Sequence, residues 1–411
     1  MQLYAQPQSL GARWIHTMLG APLENHWINV ADGKVESLSK SPAYPPVQSP
    51  STQSPPTQNP PTRHPSPQHL GDTSVILPAA INAHAHLELS QLDAPLDVPS
   101  RSMPDWVAAV LAFRRSVAYD AAEGIRQALC RPELLETTIA VADVVPYAEC
   151  KSGGLVLPDS SMLMPRESLG RSPAGLRLPL LLPFVELIAW RSELVNKLVD
   201  KNVADASPLF GLSPHAPHTV CPALLEWAVC QDVPIAMHLA ETREELQFLR
   251  HQSGPLLQMM RRADPDYDPK SVLIGKRPMD YLQLLSTAPS VLIIHGNYLD
   301  DDELRFLAAH RNRMSVVYCP RSHAYFRHAS YPLKKMLDYG VRVLLGTDSL
   351  ASVPDLNLIE EMQFALRQHP TLSPEMIYRL GTVEGARALH LPEDFGTIQP
   401  GSPAQFVSVE F

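Results

Sequence analysis

Leu77-Pro-Ala-Ala-Ile-Asn-Ala-His-Ala-His-Leu-Glu88 is the stretch that decides the fold of this chain. The apolar run 75–81 reads as a buried strand, and beyond it stand His84 and His86, two residues apart. In extended backbone, residues i and i+2 point to the same side. Two imidazoles therefore leave the strand end together, spaced to hold one metal ion. Alone the pair is a weak signal, because 16 histidines make chance pairs common. What the other strands end in is what gives it weight.

From residue 75 onward, short apolar runs alternate with helical patterns. The runs are 75–81, 139–145, 178–187, 208–213, 233–237, 291–294, 315–318 and 341–345. Apolar residues at helical spacing fill 104–113, 223–230, 242–252, 301–310 and 333–339, and further helix is expected at 354–368 and 373–389. Strand–helix alternation implies a parallel sheet. Eight such units predict an α/β fold, a (β/α)8 TIM barrel over residues 74–394.

Chemistry on such a barrel gathers at the C-terminal ends of the strands. The fourth run ends Gly211-Leu-Ser-Pro-His-Ala-Pro-His218, the fifth Met237-His-Leu-Ala-Glu-Thr242 and the sixth Ile294-His-Gly-Asn297. The seventh ends Tyr318-Cys-Pro-Arg-Ser-His323 and the eighth Leu345-Gly-Thr-Asp-Ser349. One histidine after an apolar strand is an ordinary hydrogen-bonded cap. Polar, titratable groups at six of eight strand ends are hard to explain as packing. Three or four histidines and an aspartate converging on one mouth suit zinc or iron.

Outside the barrel, short apolar runs over 10–37, with a turn at Ala31-Asp-Gly-Lys34, predict strands of a small β unit. The tail from Gly396 to Val409 reads as a turn and strand that return to it. Residues 1–73 and 395–411 are thus expected to form a small β-sandwich domain. Residues 41–72 interrupt it. The part 41–69 carries ten prolines, and only Tyr44 and Val47 are sizeable apolar groups. Such a stretch buries too little to offset its ordering entropy, so a disordered, partly polyproline insertion is expected.

Composition narrows the function. Apolar residues make up 45% of 411 residues, enough for a large core, and the net charge of -9 has no long basic run. Neither nucleic-acid nor membrane binding is expected. Residues 1–19 lack a basic segment followed by an apolar one, and no run approaches the length of a membrane span. Five scattered cysteines without a Cys-x-x-Cys suit a reducing cytoplasm and speak against a cysteine zinc site.

With these motifs in order, the chain resembles the amidohydrolase superfamily, in its adenosine/cytosine-deaminase-like and chlorohydrolase-like branch. The matching motifs are Ile81-Asn-Ala-His-Ala-His-Leu-Glu88, Ser213-Pro-His-Ala-Pro217, His238-Leu-Ala-Glu241, His295-Gly-Asn297 and Gly346-Thr-Asp-Ser349, with Gly381 to Leu389 and Gly396 to Gly401 in the tail. The run Ser322-His-Ala-Tyr-Phe326 with Ser349-Leu-Ala-Ser352 is most similar to aminodeoxyfutalosine-deaminase-type members. Two departures stand outside the implied metal shell: Pro78-Ala79 where the family has Pro-Gly, and Ala404-Gln405 where it has Ala-Asp.

The resemblance implies metal ligands at His84, His86, His238 and Asp348, with one position left for water. Glu241 resembles the family's proton shuttle. His295 is similar to the histidine that orients the nucleophile or contacts substrate, and Asp348 accepts a hydrogen bond from the nucleophile. His215 resembles a substrate-contacting histidine. Glu88, Trp106, Ser349 and His323 are further candidates for substrate contact, as are Arg321, Tyr325 and Phe326. Binuclear relatives carry a bridging lysine at the end of the third or fourth strand. Here those ends fall near Glu186 and His215 with no lysine, so one divalent metal per chain is expected, zinc ahead of iron. The implied activity is hydrolytic deamination of a purine-like or other nitrogen-heterocyclic amine by a metal-activated water. Hydrolysis of another C–N or a C–Cl bond and a non-catalytic metal-binding barrel are the alternatives. Relatives often pair, so a homodimer is compatible.

Overall fold

The structure, a computed structural model, describes residues 8–43, 67–146, 178–199 and 210–410. The Ser-, Gly- and Pro-rich stretch 150–175, which its composition predicts to be a long loop, lies outside the described residues, as do most of the Pro-rich insertion and Cys150. Strands β1 (Gln8–Ile15), β2 (Leu23–Ala31), β3 (Lys34–Ser39), β4 (Gln68–His69), β5 (Ser74–Pro78) and β14 (Phe406–Glu410) form one sheet. Strands β6 (Ala80–Ala85), β7 (Thr138–Pro146), β8 (Leu180–Leu187), β9 (Gly211–Pro214), β10 (Ile235–Leu239), β11 (Val291–His295), β12 (Met314–Tyr318) and β13 (Val343–Leu345) form a second sheet, ordered sequentially from β6 to β13. Every pairing in it is parallel.

The last strand meets the first. Ala85 bridges Asp348 in parallel, and the His84 carbonyl accepts from both the Thr347 and Asp348 amides at 3.1 Å. Asn82 fastens the same seam. Its Nδ2 donates to Thr347 Oγ1 at 2.8 Å, and its Oδ1 accepts from the Thr347 amide at 3.1 Å. The eight strands thus form the expected barrel.

Parallel strands covered on both faces read as continuous apolar runs, and β11 and β12 are buried throughout. Two clusters divide their side chains. Ile81, Leu182, Phe184, Ala236, Leu292, Ile294, Val317 and Leu344 pack together. The intervening Ile235, Met237, Val291, Ile293, Val316 and Val343 pack with helix residues such as Leu224, Leu304 and Leu333. The second set therefore faces the helices and the first fills the barrel. Helix starts follow local chemistry. Ser102, Asp120, Thr242, Asp300, Asn357 and Ser373 cap their helices by accepting backbone N–H groups, and Pro222, Pro255 and Pro278 open theirs at the first position.

Several boundaries differ from the sequence expectation. The apolar run 75–81 is not one strand. Ser74–Pro78 pairs with β1 and β14, and the barrel begins at Ala80. Both halves are buried, so hydrophobicity alone gives no sign of the crossing. The expected helix 373–389 is two helices, Pro374–Leu380 and Val383–Ala388. Between them the Gly381 carbonyl is taken by the Ile81 amide at 2.8 Å, which ends the first helix against the barrel. The disorder expected over 41–72 does not hold at its C-terminal end. Gln68 and His69 pair with Leu10 and Gly11, and a Cβ on Gly11 would lie 2.7 Å from the His69 ring and 2.9 Å from Trp27. The small β unit is one continuous sheet rather than two separately bonded sheets, because β1 pairs with β2 on one side and with β4 and β5 on the other. Its own core includes Leu10, Ile15, Ile28, Val30, Ile76, Ile398 and Phe406.

The seam carries a stability prediction. Asn82 is fully buried, so Asn82→Ala leaves the Thr347 amide and hydroxyl without this partner and should cost about 1–3 kcal/mol. Thermal and urea unfolding of the variant measure the loss.

Candidate active site

The mouth of the barrel collects the polar strand ends. His84 ends β6 beside the seam, and His86 follows it in the turn to the short 3-10 helix Leu87–Leu89. His238 stands in β10, His295 closes β11, and Asp348 follows β13. The His84 ring centroid lies 4.9 Å from His86, 5.1 Å from His238 and 5.9 Å from His295. His84, His238 and His295 each offer a nitrogen within 4.8 Å of the others. His84, His86 and Asp348 form a second such group.

Backbone geometry brings them there. Strand alternation would place His295 with Val291 and Ile293, against the helices. Instead His295 has φ +67°, which breaks the alternation. Asp348 (φ +66°) and Ala240 (φ +54°) are left-handed as well. Such conformations cost about 1–3 kcal/mol each and persist only where surrounding bonds over-determine them. Here the Tyr331 hydroxyl donates to the His295 carbonyl at 2.9 Å. The Glu245 carboxylate accepts from the Ala240 amide at 2.7 Å and the Glu241 amide at 3.2 Å, while Asn297 Nδ2 donates to the Glu241 carbonyl at 2.9 Å.

The electrostatics favour neutral imidazoles. Burial first, then the other histidines, holds His84 and His86 far below their usual range. Burial likewise lowers His238 and His295 to about 3 and His215 to about 4. Glu241 is pushed well above the usual carboxyl range by burial, by Asp348 and by Glu245. Burial also raises Asp348, and the Ser322 hydroxyl pulls it back. Glu241 Oε1 lies 3.4 Å from His295 Nε2, and Asp348 Oδ1 lies 3.9 Å from His84 Nε2.

This donor set suits a divalent metal. His84 Nε2 is buried without a hydrogen-bond partner, which is the state of an imidazole lone pair reserved for coordination. His238 Nδ1 faces the His215 carbonyl at 3.1 Å. That contact places the proton on Nδ1 and leaves Nε2 as the electron-pair donor. Three or four nitrogens and a carboxylate match zinc or iron chemistry.

The other sequence candidates take varied positions. His215 joins the cluster, 5.1 Å ring to ring from His238, and its Nδ1 meets Thr219 Oγ1 at 2.8 Å. Glu88 does not continue the strand parity of His86. It lies in the 3-10 turn, fully buried, with Oε1 bonded to Arg114 at 2.5 Å and Oε2 without a partner. His323 sits among Tyr318, His328 and Tyr331, within electrostatic reach of His295. Ser349 is buried with an unpartnered hydroxyl. Trp106 packs on Phe326 and donates to the Ala351 carbonyl at 3.1 Å. Arg321 is paired within the protein. It is bound to Glu361 at 2.6 Å and Asp355 at 2.8 Å. Tyr325 is tied to the Leu96 carbonyl.

Two functional neighbours escaped the sequence. Arg114, the last residue of the helix Met103–Arg114, reaches Glu88 and approaches Glu186 at 4.0 Å; an arginine at a helix end gives no signal. Asp143 accepts from the Leu87 amide at 2.8 Å and so fixes the turn after His86. A lone acid inside the apolar strand Thr138–Pro146 was the available clue.

Comparison with known proteins gives the family and the fold. Residues 75–411 match the model of the amidohydrolase family. An aminodeoxyfutalosine deaminase of Deinococcus radiodurans is 27% identical over 333 residues, covering 77% of this chain and 73% of that protein. A 5-methylthioadenosine/S-adenosylhomocysteine deaminase of Pyrococcus furiosus is 34% identical over 208 residues, 47% of this chain; the match spans only 44% of that relative's length. Among solved structures, Helicobacter pylori aminofutalosine deaminase in complex with methylthio-coformycin superposes with a TM-score of 0.70 at 20% identity, covering 98% of this chain and 92% of that one. A Xanthomonas campestris adenosine deaminase with bound zinc gives 0.66 at 20% identity, covering 98% and 85%. At that identity the two structures speak for the fold.

If this cluster holds the metal, replacing His84 or His238 by Asn weakens divalent-metal binding, tested with zinc, by more than the ~10–100-fold typical of an outer hydrogen-bonding partner. His323→Asn should leave zinc content unchanged. Elemental analysis after dialysis separates the two groups.

Proposed function

The chain belongs to the amidohydrolase family, and on that premise we propose that it is a metal-dependent aminohydrolase. It replaces the exocyclic amine of a purine-like heterocycle with oxygen, consuming water and releasing ammonia. The named substrates of the two relatives, aminodeoxyfutalosine and 5-methylthioadenosine or S-adenosylhomocysteine, direct the choice towards an adenosine-like amine. Free cysteines at 130, 221, 230 and 319 suit a reducing cytoplasm.

One observation carries this reading: Glu241, a buried carboxyl with a raised pKa, stands 3.4 Å from His295 within the histidine–aspartate cluster. His84, His86, His238 and Asp348 would hold one divalent ion, zinc ahead of iron, which when bound acts as a Lewis acid and lowers the pKa of a water towards 7. Glu241 takes a proton from the attacking water and delivers it to a ring nitrogen. A second proton passes through the same carboxyl to the amine as its C–N bond breaks, and ammonia leaves. The new C–O bond replaces the C–N bond, and no oxidant or reductant is needed. A carboxyl raised above its usual range by burial and by neighbouring acids suits both halves of this exchange. His295 Nε2 orients the Glu241 carboxyl, and Asp348 accepts a hydrogen bond from the nucleophile.

His215, Glu88, Trp106, Ser349 and His323 are assigned to the substrate side. Glu88 contributes its unpartnered Oε2 as an acceptor, with Arg114 fixing the other oxygen.

The test is metal content per chain together with ammonia release from adenosine-like, guanine-like and cytosine-like amines. One equivalent of metal with ammonia from the adenosine-like class is expected. Two equivalents would overturn the single-metal assignment, and no ammonia from any class would overturn the deaminase. Glu241→Gln should lose about 10²–10⁴ of the turnover while retaining its metal. A fully active variant would remove Glu241 from the proton path.

A further inference from the structure

Among the described residues, Asp348 is the carboxylate of the candidate metal-ligand groups, and its two oxygens have different surroundings. Oδ1 faces His84 Nε2 at 3.9 Å. Oδ2 accepts the Ser322 hydroxyl at 2.6 Å and the Ser352 hydroxyl at 3.2 Å. Both serines are buried, and they arrive from separate elements. Ser322 lies in the helix Pro320–Tyr325 after β12. The first turn of that helix is anchored by its neighbour, since the Arg321 amide donates to Glu361 Oε2 at 2.8 Å and Arg321 Nε to Glu361 Oε1 at 2.6 Å. Ser352 lies in the turn after β13, where its amide donates to the Ser349 carbonyl at 2.9 Å. Its hydroxyl shares its proton with that same carbonyl at 3.3 Å.

We propose that Ser322 and Ser352 are positioning residues that reserve Oδ1 of Asp348 for the metal and withhold Oδ2 from coordination. The inference rests on the assignment of Asp348 as a ligand. A carboxylate whose second oxygen already accepts two hydroxyls has fewer lone pairs free to chelate through both atoms. Arg321 and Glu361 then act at one further remove, by holding the helix that carries Ser322.

The experiment uses the zinc-loaded protein. Ser322→Ala, Ser352→Ala and the double variant are challenged with a chromophoric chelator, melted, and assayed for kcat and KM at saturating zinc. The double variant should lose zinc affinity by ~10–100-fold, with each single variant between it and the parent. The loss should fall on kcat, with KM held within about twofold. Ser322→Thr, which keeps the hydroxyl, should restore zinc retention. Zinc affinity and kcat unchanged in the double variant would overturn the proposal. A lowered melting temperature with unchanged zinc affinity would also overturn it, because that is a packing role. If Ser322→Ala does not fold, Ser352→Ala alone decides by the same readouts. Zinc retention does not depend on the substrate. Loss of zinc in the variants, with no ammonia from any amine in the parent, would uphold the clamp and sink only the deaminase reading.

Discussion

The closure of the barrel at His84 is the constraint on which the rest depends. One carbonyl accepts two amides, from Thr347 and Asp348, and so joins the first and last strands. The same two residues, His84 and Asp348, belong to the side-chain cluster that could hold a metal. Fold closure and site assembly are therefore one event. A slip of one residue at this seam would exchange every face of the terminal strand and remove Asp348 from the mouth. Asn82 guards against that slip by bonding both the amide and the hydroxyl of Thr347.

A site built this way is expensive. Six ionisable groups share a buried volume at the mouth: His84, His86, His238, His295, Asp348 and Glu241. Water cannot solvate them freely, so burial holds the imidazoles neutral and raises both carboxyls. The strained backbone at Ala240, His295 and Asp348 adds to the cost. What offsets it is the scaffold, which lies below in the strand layer packed on itself and on the helices. The supporting bonds from Tyr331, Glu245, Asn297, Ser322 and Ser352 then hold each group in place.

The two carboxyls divide their tasks by environment. Asp348 is anchored at one oxygen by hydroxyl donors. Glu241 meets His295 Nε2 at 3.4 Å rather than a pair of hydroxyls, and its backbone is clamped by Glu245 and Asn297. A fixed carboxylate suits coordination. A carboxyl on a fixed backbone suits carrying a proton between two positions. Glu88 follows a third pattern, held by Arg114 at one oxygen and open at the other.

Much of this was legible in the sequence. The runs 291–294 and 315–318 could be read directly, because strands buried on both faces must be largely apolar, and the strands extend each by one residue, to His295 and from Met314. His84, His86, His238, His295 and Asp348 could be found because barrel topology sends every strand end to one mouth. What only the tertiary structure decided depends on partners distant in the chain. The crossing at Ala79 between two sheets was silent, since Ile76 and Ile81 are equally buried on either side of it. The break at Gly381 comes from a bond to Ile81, 300 residues earlier. Arg321 looked like a pocket residue and is an anchor, because Glu361 and Asp355 reach it from the segment after β13. Local sequence determines which residue types stand at which strand ends. Which oxygen of Asp348 is bound, which side chains are already paired and where one sheet yields to the next follow from long-range hydrogen bonds that no local pattern records.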